Sequence, residues 1–327
     1  MANVTTFAGS ICALFLAQEL MQNFSGKGIF PDNFVYSNAF VIAIAGGAAL
    51  TVLAATIIGL PISTTHALIG GMIGSTLITI GKINYLPLLK IFLLPLLISP
   101  LISLLIAYLL SLVLNRVMRV SFFSKKSCIC EEPQKNVLLV NASAKLVEGE
   151  IVNPILVAPL EDCEKSNRKV LFKFNTLNFL DKIHWLSAMS VCFARGLNDT
   201  PKIAALLFMA SAFQLDLNFI IIGLAMFLGS LLNSRKVAET MSHKITTLTH
   251  EQGLSANLTT ASLVIFASKL GMPVSTTHVS VGSIIGIGLN NSQTNKGKIS
   301  IIALSWLLTL PCAALFSAII YFCLPSL

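Results

Sequence analysis

Pro61-Ile62-Ser63-Thr64-Thr65-His66 and Pro273-Val274-Ser275-Thr276-Thr277-His278 are one hexapeptide, differing at a single aliphatic position and separated by 212 residues. The same offset, without a gap, lays Ala13-Leu14-Phe15-Leu16 over Ala225-Met226-Phe227-Leu228. It also brings Leu86–Leu110 over Lys298–Phe322, with Pro100 one residue out of step with Pro311. Several matches at one offset mark a duplication. The flanks of each copy are apolar, as is the chain at large: 55% of its 327 residues are apolar and 11% are charged, with a mean hydropathy of +0.82. A soluble domain carries about 25% charge. That excludes a soluble enzyme, a disordered chain and a secreted disulfide scaffold, and predicts an all-α polytopic membrane protein.

A spanning helix needs roughly 20 apolar residues. The runs of that kind are Val4–Asn23, Ser37–Leu60, Leu86–Leu114, Ile183–Phe213, Phe219–Asn233, Leu254–Leu270 and Ile299–Leu324. His66–Ile80 and His278–Leu289 are shorter and Gly-rich, which suits re-entrant segments or broken helices better than full spans. Val4–Asn23 has neither a basic leader nor a small-residue cleavage site, so it reads as a retained helix rather than a signal. Arg116–Lys182 holds 11 basic and 8 acidic residues, half of all Lys and Arg. The net charge of +8 is therefore an orientation signal rather than a nucleic-acid footprint, and it places this loop in the cytoplasm. The division follows: 1–115 a first transmembrane repeat, 116–182 a central loop, 183–327 a second repeat. Short apolar runs in the loop, Asn136–Val140 and Val170–Phe174, predict small ordered elements. Cys12, Cys192, Cys312 and Cys323 fall in apolar helices; Cys128, Cys130 and Cys163 fall in the loop. Cys128-x-Cys130 lacks a matching second pair and is not taken as a metal site.

Duplication with short interrupted helices at matching positions is the pattern of secondary transporters, whose substrate sits near the midplane between the repeats. Periodicity leaves parallel and inverted repeats both open. Pro61 and Pro273 suit helix starts, each followed by three hydroxyl residues. A helix N-terminus offers unpaired N–H groups and the positive end of a dipole. Two such ends facing one another would cradle one tetrahedral anion, with Ser63, Thr64, Thr65, Ser275, Thr276 and Thr277 as donors. Simple capping by Ser63 and Ser275 is the competing explanation. His66 and His278 could relay protons or each bond a backbone carbonyl and fix the loop; the structural role is preferred. Arg195-Gly196-Leu197-Asn198-Asp199-Thr200-Pro201-Lys202 lies inside an apolar run, where each ionisable residue costs about 2.5–3.5 kcal/mol on insertion scales. Gly196 and Pro201 are expected to unwind the helix and free carbonyls that ligate a cation, Na⁺ for instance, beside Asp199. Arg195 and Lys202 would meet an anion or neutralise Asp199, and a buried Asp199–Lys202 ion pair is the competing reading. Glu239 is a secondary candidate at a polar helix end.

At these residues the chain resembles the PiT family of inorganic phosphate transporters. The motifs are GLNDTPKIA (Gly196–Ala204), VAET (Val237–Thr240), LPISTTHALIGGMIG (Leu60–Gly74) and MPVSTTHVSVGSIIGIG (Met272–Gly288). The resemblance covers both membrane halves and omits the central loop. It implies two inverted repeats and a midplane phosphate held by the Ser-Thr-Thr segments. It also implies symport with Na⁺ or H⁺, Asn198 and Asp199 helping to hold the cation. Two departures stand out. Only one Asn-Asp motif is present, which predicts that the chain begins inside its first repeat. Lys202 stands where many family members have Asn, and its charge disfavours Na⁺ nearby; the expectation is that it replaces part of the coupling cation's charge and that transport is H⁺-coupled.

The expected function is alternating-access symport of inorganic phosphate in the cell membrane (plasma or inner). A permease for sulfate or another tetrahedral oxyanion, and a truncated non-transporting remnant, are the other readings carried forward. An intramembrane hydrolase with Ser63 or Ser275 as nucleophile is set aside, because a duplicated nucleophile has no use whereas a duplicated ligand has. Phosphate and the lipid bilayer are the expected partners, with a homodimer left open. No nucleic acid, and no cofactor beyond the coupling cation, is expected.

Overall fold

The duplication reappears in the helix boundaries. In the computed structural model, α3 (Asn38–Ile58) and α4 (Thr64–Thr79) are matched by α9 (His250–Lys269) and α10 (Thr276–Asn291). Both pairs start 212 residues apart. The structure describes residues 1–26, 28–30, 37–118, 127–131, 139–140, 146–147, 155–159, 164–165, 169–174, 176–210, 214–233, 235–291 and 294–324. The remaining helices are α1 (Ala2–Leu16), α2 (Gln18–Phe24), α5 (Tyr85–Arg116), α6 (Thr176–Met209), α7 (Leu215–Asn233), α8 (Arg235–Glu239) and α11 (Lys296–Cys323). Residues 1–111 with 184–327 form one compact unit and residues 112–183 a second.

Among the described residues α3, α5 and α11 are each long and apolar enough to cross a membrane, and up to five spans result if each bent pair counts as one. The expected single helix Val4–Asn23 is corrected: α1 and α2 meet at 84°, because Ala17 leaves the helical region (φ −130°, ψ 31°). The expected runs Ile183–Phe213 and Leu254–Leu270 fold as α6 and α9, which fall short of a spanning composition. The reason is their polar content: Arg195, Asn198, Asp199 and Lys202 on α6, and His250, Glu251, Gln252, Asn257 and Lys269 on α9.

Small residues set the helix crossings, as they do where apolar burial gives no preference for one neighbour over another. A Cβ at Gly70 or Gly74 of α4 would overlap the carbonyl of Leu310 or Ala314 on α11. Their counterparts 212 residues on, Gly282 and Gly286 of α10, abut the carbonyls of Pro100 and Leu104 on α5. Each motif-bearing helix thus packs against the last long helix of the other half. Ser317 ties the first crossing, donating to the Gly71 carbonyl at 2.8 Å and meeting Ser75 Oγ at 2.6 Å.

The second unit adds what a purely helical reading omits. Strands β1 (Ser127–Glu131), β2 (Leu139–Val140), β3 (Leu146–Val147), β4 (Ile155–Pro159) and β5 (Lys169–Phe174) form an antiparallel sheet in the order β4-β1-β5 and a β2-β3 pair. The predicted run Val170–Phe174 is β5; of Asn136–Val140 only the last two residues are described, as β2. Cys163 lies outside the described residues.

Candidate functional site

Helix α4 starts at Thr64 and α10 at Thr276, so Ser63 and Ser275 are N-caps and the prolines lie two residues outside. The expected start at Pro61 and Pro273 is corrected. Ser63 Oγ accepts from the His66 amide at 3.1 Å, and Ser275 Oγ from the His278 amide at 3.3 Å. The capping reading therefore holds, and it leaves each hydroxyl proton available, because the oxygen accepts while the O–H still donates. The first carbonyl-bonded amides are those of Ala67 and Val279. Upstream of them the amides of Thr64, Thr65, Thr276 and Thr277 have no partner within their own helices.

These two helix starts meet. Thr65 Oγ1 donates to the Val274 carbonyl at 3.3 Å, and the rings of His66 and His278 lie 4.6 Å apart. His66 Nδ1 and both ring nitrogens of His278 are buried without a partner at full hydrogen-bond geometry; the backbone carbonyl that His278 approaches is that of Leu96. Stacking positions the rings. His278 lies on the Trp306 indole with centroids 3.9 Å apart, while Trp306 Nε1 donates to the Pro61 carbonyl at 2.9 Å. Trp306 thus fastens both motif copies, a role no sequence pattern announced. Neither serine has an imidazole partner, so the geometry of an activated nucleophile is missing from both copies.

Helix α6 supplies the charges. The unwinding expected at Gly196 and Pro201 does not occur; α6 runs unbroken from Thr176 to Met209. Gly196 serves close approach instead, since a Cβ there would overlap the Thr6 carbonyl of α1. Pro201 withholds only the N–H that would have bonded the Leu197 carbonyl, a loss that membrane helices tolerate where neighbours re-satisfy the backbone. The cation cage of freed carbonyls expected on α6 is therefore not formed there.

Asp199 Oδ1 instead collects three donors: Asn198 Nδ2 at 3.2 Å, Thr64 Oγ1 at 3.4 Å and Lys202 Nζ at 3.5 Å. Its Oδ2 faces Arg195 Nε at 3.7 Å. The ion pair of the competing reading is thus present, and it is part of a larger cluster. Lys202 Nζ also donates to Thr65 Oγ1 and to the Val274 carbonyl, both at 2.7 Å. Asn198 Nδ2 reaches the same carbonyl at 3.1 Å, and its Oδ1 accepts from Ser268 at 3.1 Å. Sequence reasoning missed Ser268 and the Val274 carbonyl; a backbone acceptor carries no side-chain signal. Glu239 is exposed at the end of α8 and joins none of these bonds. Among the described residues no group of three or more His, Cys, Asp or Glu is placed to hold a metal.

The electrostatics point one way. The Lys202 side chain is 0% exposed and Asp199 5%, so they cancel within the buried cluster, while Arg195 is 60% exposed at its edge. Two helix N-termini then remain, each equivalent to roughly half a positive charge, with the unpaired amides and the uncommitted hydroxyls of Thr276 and Thr277. An arrangement of donors with surplus positive charge at two helix starts suits an oxyanion.

The comparisons agree with that chemistry. A family model described as the phosphate transporter family matches residues 1–317. A Pyrococcus abyssi protein named as a phosphate permease is 43% identical over 101 residues, covering 30% of this chain and 25% of that protein. A Bacillus subtilis protein named as a low-affinity inorganic phosphate transporter is 30% identical over 195 residues, 55% of this chain and 59% of its own. The matched part thus spans less than two thirds of either relative. The solved structure of a sodium-dependent phosphate transporter superposes with a TM-score of 0.71 at 25% identity, over 98% of this chain and 88% of that one. The chain, a multi-pass membrane protein, belongs to the phosphate transporter family, a family of transporters and not of enzymes.

Proposed function

We propose that the chain carries inorganic phosphate across the membrane as a secondary active symporter, the anion sitting between the two Ser-Thr-Thr segments. The observation that carries this reading is the convergence of the α4 and α10 N-termini around a charge-neutral Asp199–Lys202 pair. The hydroxyls of Ser63, Ser275, Thr276 and Thr277 and the helix-start amides of both copies are its ligands. Thr64 and Thr65, whose hydroxyls are spent on Asp199 and on the Val274 carbonyl, contribute their amides, and Asn198, Asp199, Lys202 and Arg195 are its charge-balancing set. His66 and His278 position the two segments. Residues 1–115 and 183–327 act as inverted repeats that rock against one another for alternating access, with 116–182 as a cytoplasmic loop. Coupling is to H⁺ or Na⁺, and the relative whose name includes sodium dependence keeps the second open.

Asp199 favours phosphate over sulfate. Its carboxylate accepts hydrogen bonds only; a protonated phosphate brings an O–H to donate to it, and sulfate at neutral pH does not. The test is labelled phosphate uptake into proteoliposomes with Na⁺ and H⁺ gradients imposed separately and sulfate in excess. Uptake that sulfate leaves unchanged supports the reading. Competition by sulfate makes the chain a general oxyanion permease. Binding of phosphate without uptake under either gradient would make it a non-transporting member.

A further inference from the structure

The Lys202 ammonium sits in a setting that a free monovalent cation would occupy. Its three protons meet three oxygens of three kinds, the Thr65 hydroxyl and Val274 carbonyl at 2.7 Å and the Asp199 carboxylate at 3.5 Å. The side chain is 0% exposed, and the Phe24 ring closes one side with its centroid 6.0 Å from Nζ. Hydroxyl, carbonyl and carboxylate oxygens are the ligands of hard cations. The Val274 carbonyl is directed there by more than the lysine, since Asn198 Nδ2 and Thr65 Oγ1 converge on it as well. The oxygens come from three separate segments: Thr65 at the start of α4, Val274 just before α10, and Asp199 on α6. A buried ammonium needs three acceptors from whatever source; what marks this site is that they are drawn from three separate segments and that two further donors hold the Val274 carbonyl in place.

We infer that Lys202 is a tethered cation: it fills, permanently and from within the chain, the position between the two motif copies at which a small monovalent cation would otherwise bind. The inference rests on the proposed function for its consequence, but the site itself is defined without it. The tethered charge holds the two helix starts together and offsets part of the anion's charge. Because it cannot leave, no Na⁺ travels through this position; the lysine stands in for the coupling Na⁺ itself, so that phosphate uptake does not require one.

The experiment uses the full chain, purified in detergent, as wild type and as Lys202→Ala and Lys202→Asn. Melting is followed in the chlorides of choline, sodium, ammonium and methylammonium at equal ionic strength. The truncated side chains open room for a free cation. Their melting temperature is expected to rise by roughly 2–4 °C, saturably, in sodium, ammonium or methylammonium over choline, as mass action on a vacated site requires. The wild type is expected to show no such rise. Variants that melt identically in all four salts would overturn the inference.

The second arm uses the wild type alone, so it stands if neither variant folds. Phosphate uptake into proteoliposomes at a fixed pH gradient is expected to continue when Na⁺ is replaced by choline. Loss of uptake on that replacement would overturn the tethered cation. If the wild type takes up no phosphate under any gradient, the transport reading fails, and the melting arm still decides whether a cation site lies beneath Lys202.

Discussion

The two copies of the hexapeptide share a cap, a helix start and a glycine pair one and two turns on, yet their threonines lead different lives. In the first copy Thr65 is bound to Lys202 and to the Val274 carbonyl, and Thr64 to Asp199. In the second, Thr276 and Thr277 hold no partner among the described residues, and Thr277 is half-buried. The difference comes from α6, whose charged residues lie against the first copy and touch the second only through a backbone carbonyl. Identical local sequence sets identical local geometry; the neighbouring helix then assigns one copy to hold the ammonium and leaves the other free to donate to an anion.

The comparison breaks most visibly at Asp199. Asp199→Ala strips Lys202 of its carboxylate while leaving the ammonium buried, and breaking a buried pair costs about 3–5 kcal/mol. The variant is expected to melt far below wild type, and Asp199→Ala/Lys202→Ala to recover part of the loss because both charges are then gone. Melting of the single variant at the wild-type temperature would show that the first copy is not held by this pair. Next in size are the glycine crossings, where the copies should behave alike. Gly74→Val and Gly286→Val each drive a side chain into a carbonyl of the facing helix, at about 1–3 kcal/mol as overpacking. Comparable losses in melting are expected, and a silent member of the pair would end the claim of twin crossings.

How much of this was open to reading follows the same division. The duplication and the apolar runs gave the helix order, because a repeat offset and a 20-residue run are one-dimensional signals. The polar cluster gave up only its side chains. Asn198, Asp199, Lys202 and the Ser-Thr-Thr residues were visible as polar groups in apolar surroundings. Their assembly around the Val274 carbonyl was not, since nothing in the sequence distinguishes one carbonyl from another. The break at Ala17 was hidden because no glycine or proline marks it; the polar Gln18-Glu19 pair is the one trace. Gly196 and Pro201 misled in the opposite sense, as breakers inside a helix that continues. Gly196 is present for contact with α1, and the missing amide at Pro201 affects a single carbonyl. Trp306 carries no such signal, because an aromatic in an apolar helix is ordinarily lipid-facing or core.

Smaller effects should separate the threonines. Thr65→Val keeps shape and removes the hydroxyl that accepts from Lys202, leaving a charged donor short of a partner at about 1–3 kcal/mol. Melting should fall. Thr277→Val removes a hydroxyl with no protein partner, so melting should hardly move. Its loss should appear in phosphate affinity, weakened by about tenfold to a hundredfold as expected of one hydrogen bond to a charged ligand. Calorimetric phosphate titration beside melting reads both quantities in each variant. Equal patterns in the two variants would erase the asymmetry and return both threonines to one role.

The caps test whether symmetry survives at the smallest scale. Ser63→Ala and Ser275→Ala each remove an oxygen that accepts from the amide three residues on, at about 1 kcal/mol. The two losses should be alike, since the bonds are 3.1 and 3.3 Å in the same position. Capping alone would end the matter there. Glycine at an N-cap costs only a few tenths of a kcal/mol, so Ser63→Gly and Ser275→Gly should restore most of the melting temperature. If the serine protons also donate to the anion, phosphate affinity stays reduced in the glycine variants although the helices are again stable. Recovery of affinity together with stability would confine both serines to capping, and the anion would then be held by the Thr276 and Thr277 hydroxyls and the four free amides.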